Sequence, residues 1–479
     1  MLLFNELKKS NLKKIALIEG EKQFLYEDLF SRIKNCADLV ASQSFSKHGR
    51  VGLKPMTPTG LLISYYGCQL AGRTPVPVPF SDEERIQGAI AQAEIDYFLD
   101  DPTSLSLPEC KTEHDSWEKG TSSNPEALVL FTSGTTSNKL KGVRLSHNGI
   151  SSSCNYMNEL MGFDDNICEL VFASIDHAYG FGRCHCVLKA GGTVVLPKNL
   201  KSLMRVSDLV EKHKCNALST PPSILSSILR RAPKKIDLLS KRVRFIQTGA
   251  MRFDNSFRMN LVEKLPNTRI FLHYGLSEAM RVTLFELNSN IDKIDTEGPP
   301  SKNVSIAIFD KDLKMQDNKK EGLIGIKGDN LCLGYLDEEH WKKNIKDGYF
   351  ITSDRGLLDN DGFLTFKGRN DDVINANGVL VHPDEIEKKI LKVWPHLVFS
   401  VVGIDDPQKT RDSIVVLCVE GSSDLSLTDL NRNFSDIDAN LIPQFIVSVD
   451  ELPLTRTGKV NRNQLRKLAY DKVSKTVQK

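Results

Sequence analysis

The sequence predicts an α/β protein with a large N-terminal domain of mostly parallel sheets, a barrel-like β appendage and a small, mobile C-terminal α+β domain. Helix and strand patterns alternate between residues 15 and 272, which is typical of a parallel sheet covered by helices. From Val304 to Phe366 the pattern changes to short strands and glycine-centred turns. Residues 371–479 then have a strand and helix alternation of their own, which indicates a separate compact domain.

The elements follow from local spacing. Apolar residues recur at every third or fourth position from Leu29 to Val40, so one face of a helix is expected to be buried. The segment Pro75–Pro79 is expected to be an extended edge, because proline cannot donate to a central ladder. Other apolar runs predict strands at 15–18, 50–53, 97–99, 127–130, 170–172, 192–196, 217–219, 243–246, 269–272 and 413–419. Helical spacing predicts helices at 59–71, 146–161, 206–213, 223–231, 255–264, 383–393 and 427–434.

Composition excludes several classes of protein. Of 479 residues, 40% are hydrophobic and 26% charged, and the net charge of +2 gives no overall bias towards nucleic acid or membrane, so no nucleic-acid partner is expected. The ten cysteines lack a disulfide framework, and Cys184-His185-Cys186 alone is a weak metal motif. The first residues lack the layout of a signal peptide, and no apolar run reaches the ~18 residues of a membrane span. We therefore expect a soluble, cytoplasmic protein.

A segment rich in small polar residues, Phe131–Val143, is the first candidate site. It follows an apolar run and precedes a predicted helix near Ser146, so we expect a strand-to-helix loop. Its hydroxyls, its backbone freedom at Gly134 and its lysines suit a polyphosphate. The residues concerned are Thr132, Ser133, Thr135, Thr136, Lys139 and Lys141. The alternative is a solvated Ser/Thr turn, since the segment is not a P-loop.

Further segments carry chemistry suited to a nucleotide. In His273–Glu278, an aromatic ring can stack on a base and the carboxylate can hold a divalent cation. The aspartate of Thr352-Ser353-Asp354 can bind vicinal ribose hydroxyls, or it can cap a turn. Gly368–Asp372 joins the two domains, and Leu454–Lys459 places a lysine on a glycine turn near the end of the chain.

In this order, the segments resemble the adenylate-forming superfamily, which includes acyl-CoA synthetases, aryl-acid ligases, firefly luciferase and adenylation domains of nonribosomal peptide synthetases. The resemblance extends from Leu25-Tyr26 through Gln69–Gly72 to Lys459. It implies a domain of residues 1–368 that binds ATP and the acyl group. It also implies a small domain of residues 369–479 with a hinge near Asp371.

The resemblance also implies roles for individual residues. Thr132, Ser133, Gly134, Thr135, Thr136 and Lys141 would surround the β and γ phosphates of ATP. Tyr274 would lie near the adenine, Ser277 at the α phosphate, and Glu278 would ligate Mg²⁺. Asp354 would bind the ribose with help from Arg369, and Lys459 would be the lysine of the adenylation step. His177 would border the substrate carboxylate, and Tyr179, Gly249, Ala250 and Gly275 would line the acyl pocket.

Some positions depart from the family pattern. Ser137 and Leu140 replace a usual glycine and proline of the loop, Leu323 a common glutamate, and Ser353 a usual glycine. None of these changes removes a charged group with an implied role. Asp176 lies one position before the aspartate that holds the amino group in amino-acid-activating members, which disfavours an amino-acid substrate.

The predicted function is ATP-dependent, Mg²⁺-dependent activation of a carboxylic acid to an acyl-adenylate with release of pyrophosphate. Acyl transfer to a thiol would follow, with coenzyme A as the acceptor. Two alternatives stay open within this chemistry: loading of the phosphopantetheine arm of an acyl or peptidyl carrier protein, and activation of an amino acid. A nucleotide-binding regulator descended from a ligase is the non-enzymatic alternative.

Overall fold

The computed structural model describes residues 2–7, 11–46, 49–78, 83–103, 124–133, 140–197, 205–249, 255–376, 379–408, 413–421, 424–434, 442–455 and 460–477. The chain divides into two compact units. The first comprises Met1–Ala307, Gly325–Ile351 and Leu358–Thr365. The second comprises Ile308–Ile324, Thr352–Leu357 and Phe366–Lys479.

The helices of the described residues are α1 (Tyr26–Ala41), α2 (Pro58–Leu70), α3 (Glu83–Ala93), α4 (His147–Met161), α5 (Ala178–Ala190), α6 (Arg205–Lys212), α7 (Pro222–Arg231), α8 (Pro233–Arg242), α9 (Asn255–Lys264), α10 (Glu338–Lys343), α11 (Pro383–Val393), α12 (Leu427–Asn433) and α13 (Arg462–Val477). The strands up to residue 286 are β1 (Ile15–Glu19), β2 (Lys22–Leu25), β3 (Arg50–Leu53), β4 (Thr74–Pro77), β5 (Ile95–Leu99), β6 (Glu126–Ser133), β7 (Leu140–Ser146), β8 (Cys168–Val171), β9 (Thr193–Leu196), β10 (Ala217–Ser219), β11 (Phe245–Gly249), β12 (Arg269–Tyr274) and β13 (Thr283–Glu286). The later strands are β14 (Val304–Phe309), β15 (Met315–Gln316), β16 (Gly322–Gly328), β17 (Gly334–Tyr335), β18 (Ile345–Lys346), β19 (Tyr349–Leu358), β20 (Leu364–Arg369), β21 (Ile374–Ala376), β22 (Val379–Val381), β23 (Phe399–Asp405), β24 (Ser413–Glu420) and β25 (Phe445–Val449).

The principal sheet of the first unit has eight strands in the order β13-β12-β11-β10-β8-β9-β1-β2. Its interior pairings are parallel. Both edge pairings, β1 with β2 and β12 with β13, are antiparallel. The strands β10, β11 and β12 are parallel neighbours, so their carboxyl ends lie along one edge of the sheet, where open α/β folds bind ligands.

The polar segment near residue 134 lies in a different context from the one expected. Strands β6 and β7 form an antiparallel pair, with Thr132 opposite Lys141. The segment therefore joins two strands of a hairpin, and the prediction of a strand-to-helix loop is wrong. The second strand was missed because Gly142 interrupts its apolar alternation. A Cβ atom at Gly142 would lie 2.3 Å from Leu336 Cδ1, so glycine is needed for this close approach.

Helix α5 was also missed by the sequence analysis. Gly180 and Gly182 lower its helix propensity, and it is buried on nearly every side, so it has no amphipathic period. Its charged residue Arg183 is fully buried and makes two hydrogen bonds to Glu169, of 3.0 and 2.6 Å. Burial without a polar face is why apolar spacing did not reveal this helix.

His185 of the Cys184-His185-Cys186 motif belongs to a buried hydrogen-bond network. Its Nε2 lies 3.1 Å from Glu6 Oε2, and its Nδ1 lies 2.9 Å from the Tyr66 hydroxyl. Lys189 Nζ donates to the same Glu6 oxygen at 2.7 Å. Within the described ranges no group of three or more His, Cys, Asp and Glu side chains is placed to hold a metal ion. The motif therefore fixes the N-terminal segment against α5.

This network predicts an acid-sensitive contribution to stability. Burial on its own raises the pKa of Glu6, but hydrogen bonds from His185, Lys189 and Ser151 outweigh it and hold the pKa at about 2. We expect Glu6→Gln to lower the free energy of unfolding by about 2 kcal/mol at neutral pH. The loss should be constant above the ordinary carboxyl pKa of 4.5 and shrink as the pH falls towards 2. Urea denaturation at several pH values measures this. Glu27→Gln, which breaks an exposed pair with Lys13, is the control.

Residues 304–369 form a curled sheet of short strands, with the order β15-β14-β16-β19-β18 and β20 paired with β19. In the second unit, β23, β24 and β25 form a three-stranded sheet. Helices α11 and α13 both pack against β23 through apolar side chains such as Ile386, Ile390 and Leu465. No helix in the described part of the chain is long and apolar enough to cross a membrane.

Candidate functional site

A tight turn follows strand β12 at the carboxyl edge of the principal sheet. Leu276 N donates to Ala279 O at 2.9 Å, and Ala279 N donates back to Leu276 O at 3.3 Å. A Cβ atom at Gly275 would lie 2.7 Å from Arg281 N, so glycine is required where the chain turns. Ser277 and Glu278 consequently lie at the tip of the turn, and both are partly exposed.

Tyr335 connects this turn to the β6–β7 hairpin. Its hydroxyl donates to Glu278 Oε1 at 2.7 Å, and Lys141 Nζ lies 5.8 Å from the centre of its ring. The pairing of β17 with β7 holds the backbone of Tyr335 opposite Val143. The ring of Trp341 packs against it edge to face at 5.2 Å. A lysine and a carboxylate with implied roles at the phosphates thus share one rigid aromatic neighbour.

Tyr335 was not identified from the sequence. The sequence offered one signal: Tyr335 directly follows Gly334, and a glycine next to an aromatic residue also occurs at Tyr274-Gly275. Tyr274 itself is 9% exposed, and its backbone N–H donates to the Thr283 hydroxyl at 3.1 Å. Its position at the end of β12 is therefore well fixed. A stacking role with adenine stays a prediction.

The residues expected at the acyl group lie around the start of α5. The Tyr179 hydroxyl donates to Gln247 O at 2.9 Å, and its ring centre lies 5.0 Å from that of His273. Burial raises the pKa of Tyr179 to about 12, so it is a neutral hydrogen-bond donor at physiological pH. A Cβ atom at Gly249 would lie 2.2 Å from His273 O, which again requires glycine. Tyr179, Gly249 and Gly275 are thus grouped at the carboxyl edge of the sheet.

His177 immediately precedes α5, at the N-cap position. Its Nε2 lies 3.9 Å from Asp176 Oδ1. Asp176 also accepts a short hydrogen bond from the Ser174 hydroxyl, so its carboxylate is oriented by the adjacent loop. The role of His177 beside the substrate carboxylate stays a prediction.

Several predicted residues lie outside the described residues: Gly134, Thr135, Thr136, Ser137, Ala250 and Lys459. The side chains of Ser133 and Asp371 lie outside the description too, although their backbones belong to β6 and to the short 3-10 turn Asn370–Asp372. The roles implied for all of these residues stay predictions.

In the second unit, Asp354 and Arg369 form an ion pair. Arg369 Nε lies 3.5 Å from Asp354 Oδ1, and its Nη2 donates to the Ser353 hydroxyl at 2.8 Å. Thr352 Oγ1 accepts from Asp354 N at 3.1 Å. Asp354 is only 4% exposed, so its carboxylate is held in a defined position. Two residues predicted to act together at a ribose are therefore neighbours.

An arginine that the sequence analysis did not single out lies three positions after Lys459. Arg462 Nη1 donates to Asp372 at 2.9 Å, and its Nη2 contacts Asp384 and Glu387 at 3.0 Å each. Arg466 Nη2 binds the other oxygen of Asp372 at 3.0 Å. This cluster joins the start of α13 to the turn after Asp371 and to α11. The signal in the sequence is the charge of residues 456–479, which include eight Lys or Arg and one acidic residue.

The sequence model described as AMP-binding enzyme matches residues 4–336 of the chain. The chain belongs to this family. It is thereby placed in the adenylate-forming superfamily that its motifs resemble, and the prediction of an AMP-forming enzyme is confirmed at the level of the family.

Curated relatives of the family differ in size. A 2-succinylbenzoate–CoA ligase of Staphylococcus epidermidis is 25% identical over 483 residues, which are 96% of each chain. Surfactin synthase subunit 2 of Bacillus subtilis is 24% identical over 486 residues, which are 94% of this chain and 13% of that protein. The chain likewise spans 11% of gramicidin S synthase 2 of Brevibacillus brevis.

Solved structures of family members support the fold. ATP-bound MatB from Rhodopseudomonas palustris superposes with a TM-score of 0.83 at 21% identity, covering 98% of each chain. The o-succinylbenzoate CoA synthetase from Bacillus subtilis gives a TM-score of 0.80 at 22% identity, covering 97% of each chain. The prediction of an α/β fold with a barrel-like appendage is therefore confirmed, with sheets that are mixed rather than purely parallel.

The first unit fits a magnesium nucleotide by its own geometry. Among the described residues, the carboxylate of Glu278 accepts one hydrogen bond, from the Tyr335 hydroxyl, and no Lys, Arg or His forms an ion pair with it. A partly exposed carboxylate without a cationic partner is a suitable oxygen ligand for Mg²⁺. Lys141, on strand β7, lies near the ring of the same Tyr335 and can supply the positive charge that a polyphosphate needs.

Proposed function

We propose that the protein activates a carboxylic acid with ATP, forming an acyl-adenylate and pyrophosphate, and then transfers the acyl group to the thiol of coenzyme A. The observation that carries this proposal is that Lys141 and Glu278 both lie beside the same side chain, Tyr335. Membership of the AMP-binding enzyme family supports the same chemistry.

Several residues have separate roles in the first half-reaction. Lys141 and the hydroxyls of the hairpin loop bind the β and γ phosphates and stabilise pyrophosphate as it leaves. Glu278 holds Mg²⁺, which would neutralise phosphate charge when bound. Tyr335 fixes the Glu278 carboxylate through its hydroxyl. Lys459 would donate its charge to the α phosphate as the substrate carboxylate attacks.

Asp354 and Asp371 also have roles in this proposal. Asp354, oriented by Arg369, binds the ribose hydroxyls. Asp371 is the hinge about which the small domain would reorient, withdrawing Lys459 from the α phosphate so that the thiol can reach the acyl carbon. The thiolate then displaces AMP, and the thioester forms as the carbon–oxygen bond to phosphate breaks.

The acceptor distinguishes two versions of this function. Full-length similarity to a 2-succinylbenzoate–CoA ligase favours coenzyme A, whereas similarity to segments of peptide synthases favours a carrier-protein arm. Mixing the protein with ATP, Mg²⁺ and a pool of carboxylic acids, followed by mass spectrometry, is expected to reveal an acyl-AMP. Adding coenzyme A or a phosphopantetheinylated carrier protein then identifies the acceptor. ATP binding without pyrophosphate release for any acid would favour the regulator instead.

Glu278→Gln is expected to raise the Mg²⁺ concentration needed for half-maximal pyrophosphate release by about 10-fold or more, because it removes the formal charge of the ligand. Saturating Mg²⁺ should restore part of the rate. Tyr335→Phe removes only the hydroxyl bond to Glu278, so its Mg²⁺ requirement should rise less. Identical Mg²⁺ titrations for wild type and Glu278→Gln would mean that Glu278 has a structural role alone.

A further inference from the structure

Arg281 is a buried cation without an acidic partner among the residues that the structure describes. It is 3% exposed, and among the described residues the acceptor of its guanidinium is the backbone oxygen of Tyr179, 3.2 Å from Nη2. Its Nε is buried and has no hydrogen-bond partner. A guanidinium offers five N–H donors and stays charged in proteins, so most of its binding capacity is unused.

The other buried arginines of the described chain behave differently. Arg50 binds both oxygens of Glu126, at 2.9 and 3.2 Å. Arg183 binds both oxygens of Glu169, and Arg258 binds Glu297 at 2.6 Å. Each of these charges is neutralised within the fold. Arg281 has no such carboxylate, and burial, with a further contribution from Arg183, lowers the pKa of its guanidinium.

Arg281 lies against the residues that are expected at the acyl group. Its guanidinium carbon is 5.0 Å from the centre of the Tyr179 ring, and its backbone N lies against Gly275. A Cβ atom at Gly182 would lie 2.9 Å from Met280 Cε and 3.7 Å from Arg281 Nη1, so both side chains lie against the backbone of α5. Arg281 also adopts φ of +47°, an uncommon conformation for a residue with a side chain.

Other unsatisfied polar atoms accompany it at the same edge of the sheet. Thr220 follows β10, while Gln247 and Thr248 lie in β11. Thr220 Oγ1, Gln247 Oε1 and Thr248 Oγ1 are buried and without a hydrogen-bond partner. A pocket for a plain hydrocarbon chain would leave these groups unpaired, which is costly. The edge is better suited to an acyl group that carries polar atoms of its own.

We propose that the acid activated by this protein carries a second carboxylate, which Arg281 binds while the first is adenylated. This inference rests on the proposed function and names its substrate class. A carboxylate matches the planar guanidinium and supplies the missing counter-charge. An α-amino acid would instead bring a cationic ammonium group towards an uncompensated arginine. Arg281 is then a residue that determines specificity and takes no part in the bond-making steps.

The test compares dicarboxylic acids with their own monomethyl esters, which keep the chain length and one reacting carboxylate. Pyrophosphate release is measured for a series of aliphatic and aryl dicarboxylic acids and for each ester. Wild type is expected to prefer the best diacid over its ester by about 10²-fold in kcat/KM, mainly through KM. Arg281→Gln should reduce this preference to below about 10-fold, while activity with the ester changes little.

Two further variants make the result specific. Arg281→Lys keeps the positive charge and places another long side chain at the same positive φ. It should therefore retain most of the preference for the diacid over its ester. Arg244→Gln removes an exposed arginine and should match wild type. Equal use of diacids and esters by wild type, or an unchanged preference in Arg281→Gln, would overturn the inference while leaving the ligase function intact. If Arg281→Gln does not fold, the wild-type ratio of kcat/KM for the diacid to kcat/KM for its ester decides the test. A ratio near one rejects the inference. Absence of pyrophosphate release with every acid would reject the proposed function itself.

Discussion

Replacing Lys459 by alanine is expected to slow adenylation by about 10²-fold or more, while thioester formation from a preformed acyl-adenylate continues near the wild-type rate. The first effect has the magnitude expected for removing a preorganised charge where negative charge develops. The second effect follows because the thiol attacks only after the lysine has been withdrawn, in the two-arrangement mechanism that the family resemblance implies.

The measurement separates the half-reactions. Pyrophosphate release with ATP and acid reports adenylation, and mixing the variant with synthetic acyl-adenylate and coenzyme A reports thioester formation. Lys467→Ala, which removes an exposed lysine from α13, is the matched control and should affect neither. If both half-reactions fall together in a folded Lys459→Ala variant, this protein does not use two arrangements of its small domain.

The structure shows how the segment that follows Lys459 is held. Its neighbour in sequence, Arg462, is bound to Asp372, Asp384 and Glu387, so the start of α13 is tied to the turn that contains Asp371. A reorientation at Asp371 would therefore move these segments of the small domain together. This makes a rigid rotation easier to accommodate than a local change in the Lys459 turn.

Local sequence patterns predicted the elements with clear periodicity and failed where tertiary contacts decide. Helix α11 begins and ends as predicted, at Pro383 and Val393, because proline and an apolar face mark it. Helix α5 is buried on all sides and contains Gly180 and Gly182, so neither periodicity nor propensity indicates it. Strand β7 depends on contacts of Gly142 with Leu336, which are distant in sequence.

The same distinction applies to the candidate site. Glu278 and Asp354 could be identified because their segments resemble family motifs. Tyr335 and Arg281 could not, since their importance comes from what surrounds them. Tyr335 matters because its hydroxyl reaches Glu278. Arg281 matters because the fold buries it without a carboxylate, and no local pattern reports the absence of a partner.

Arg462→Met is expected to destabilise the second unit by about 3 kcal/mol at neutral pH, because it leaves three partly buried carboxylates without their shared cation. Although burial alone would lower it, the carboxylates of Glu387, Asp384 and Asp372 raise the pKa of Arg462. Burial already raises the pKa of Glu387 despite the guanidinium. Removing that guanidinium should raise the pKa of Glu387 further.

These pKa shifts determine how the loss of stability in Arg462→Met changes with pH. A carboxyl whose pKa is higher in the folded than in the unfolded state favours folding when protonated and opposes it when ionised. The loss of stability in Arg462→Met should therefore be largest at neutral pH and shrink on acidification towards the ordinary carboxyl pKa. Denaturant unfolding of the full chain at several pH values, monitored with a spectroscopic probe near Trp394, measures this loss of stability.

Arg466→Met is the matched control, because Arg466 contacts only Asp372 among the three carboxylates and is more exposed than Arg462. Its effect should be below about 1 kcal/mol and nearly independent of pH. Adenylation should fall in Arg462→Met even where the variant is folded, since the start of α13, three residues after Lys459, loses its contacts with Asp372, Asp384 and Glu387. Equal stability losses in the two variants, or a loss that grows on acidification, would mean that the carboxylates are solvated and that Arg462 does not hold the Lys459 turn in place.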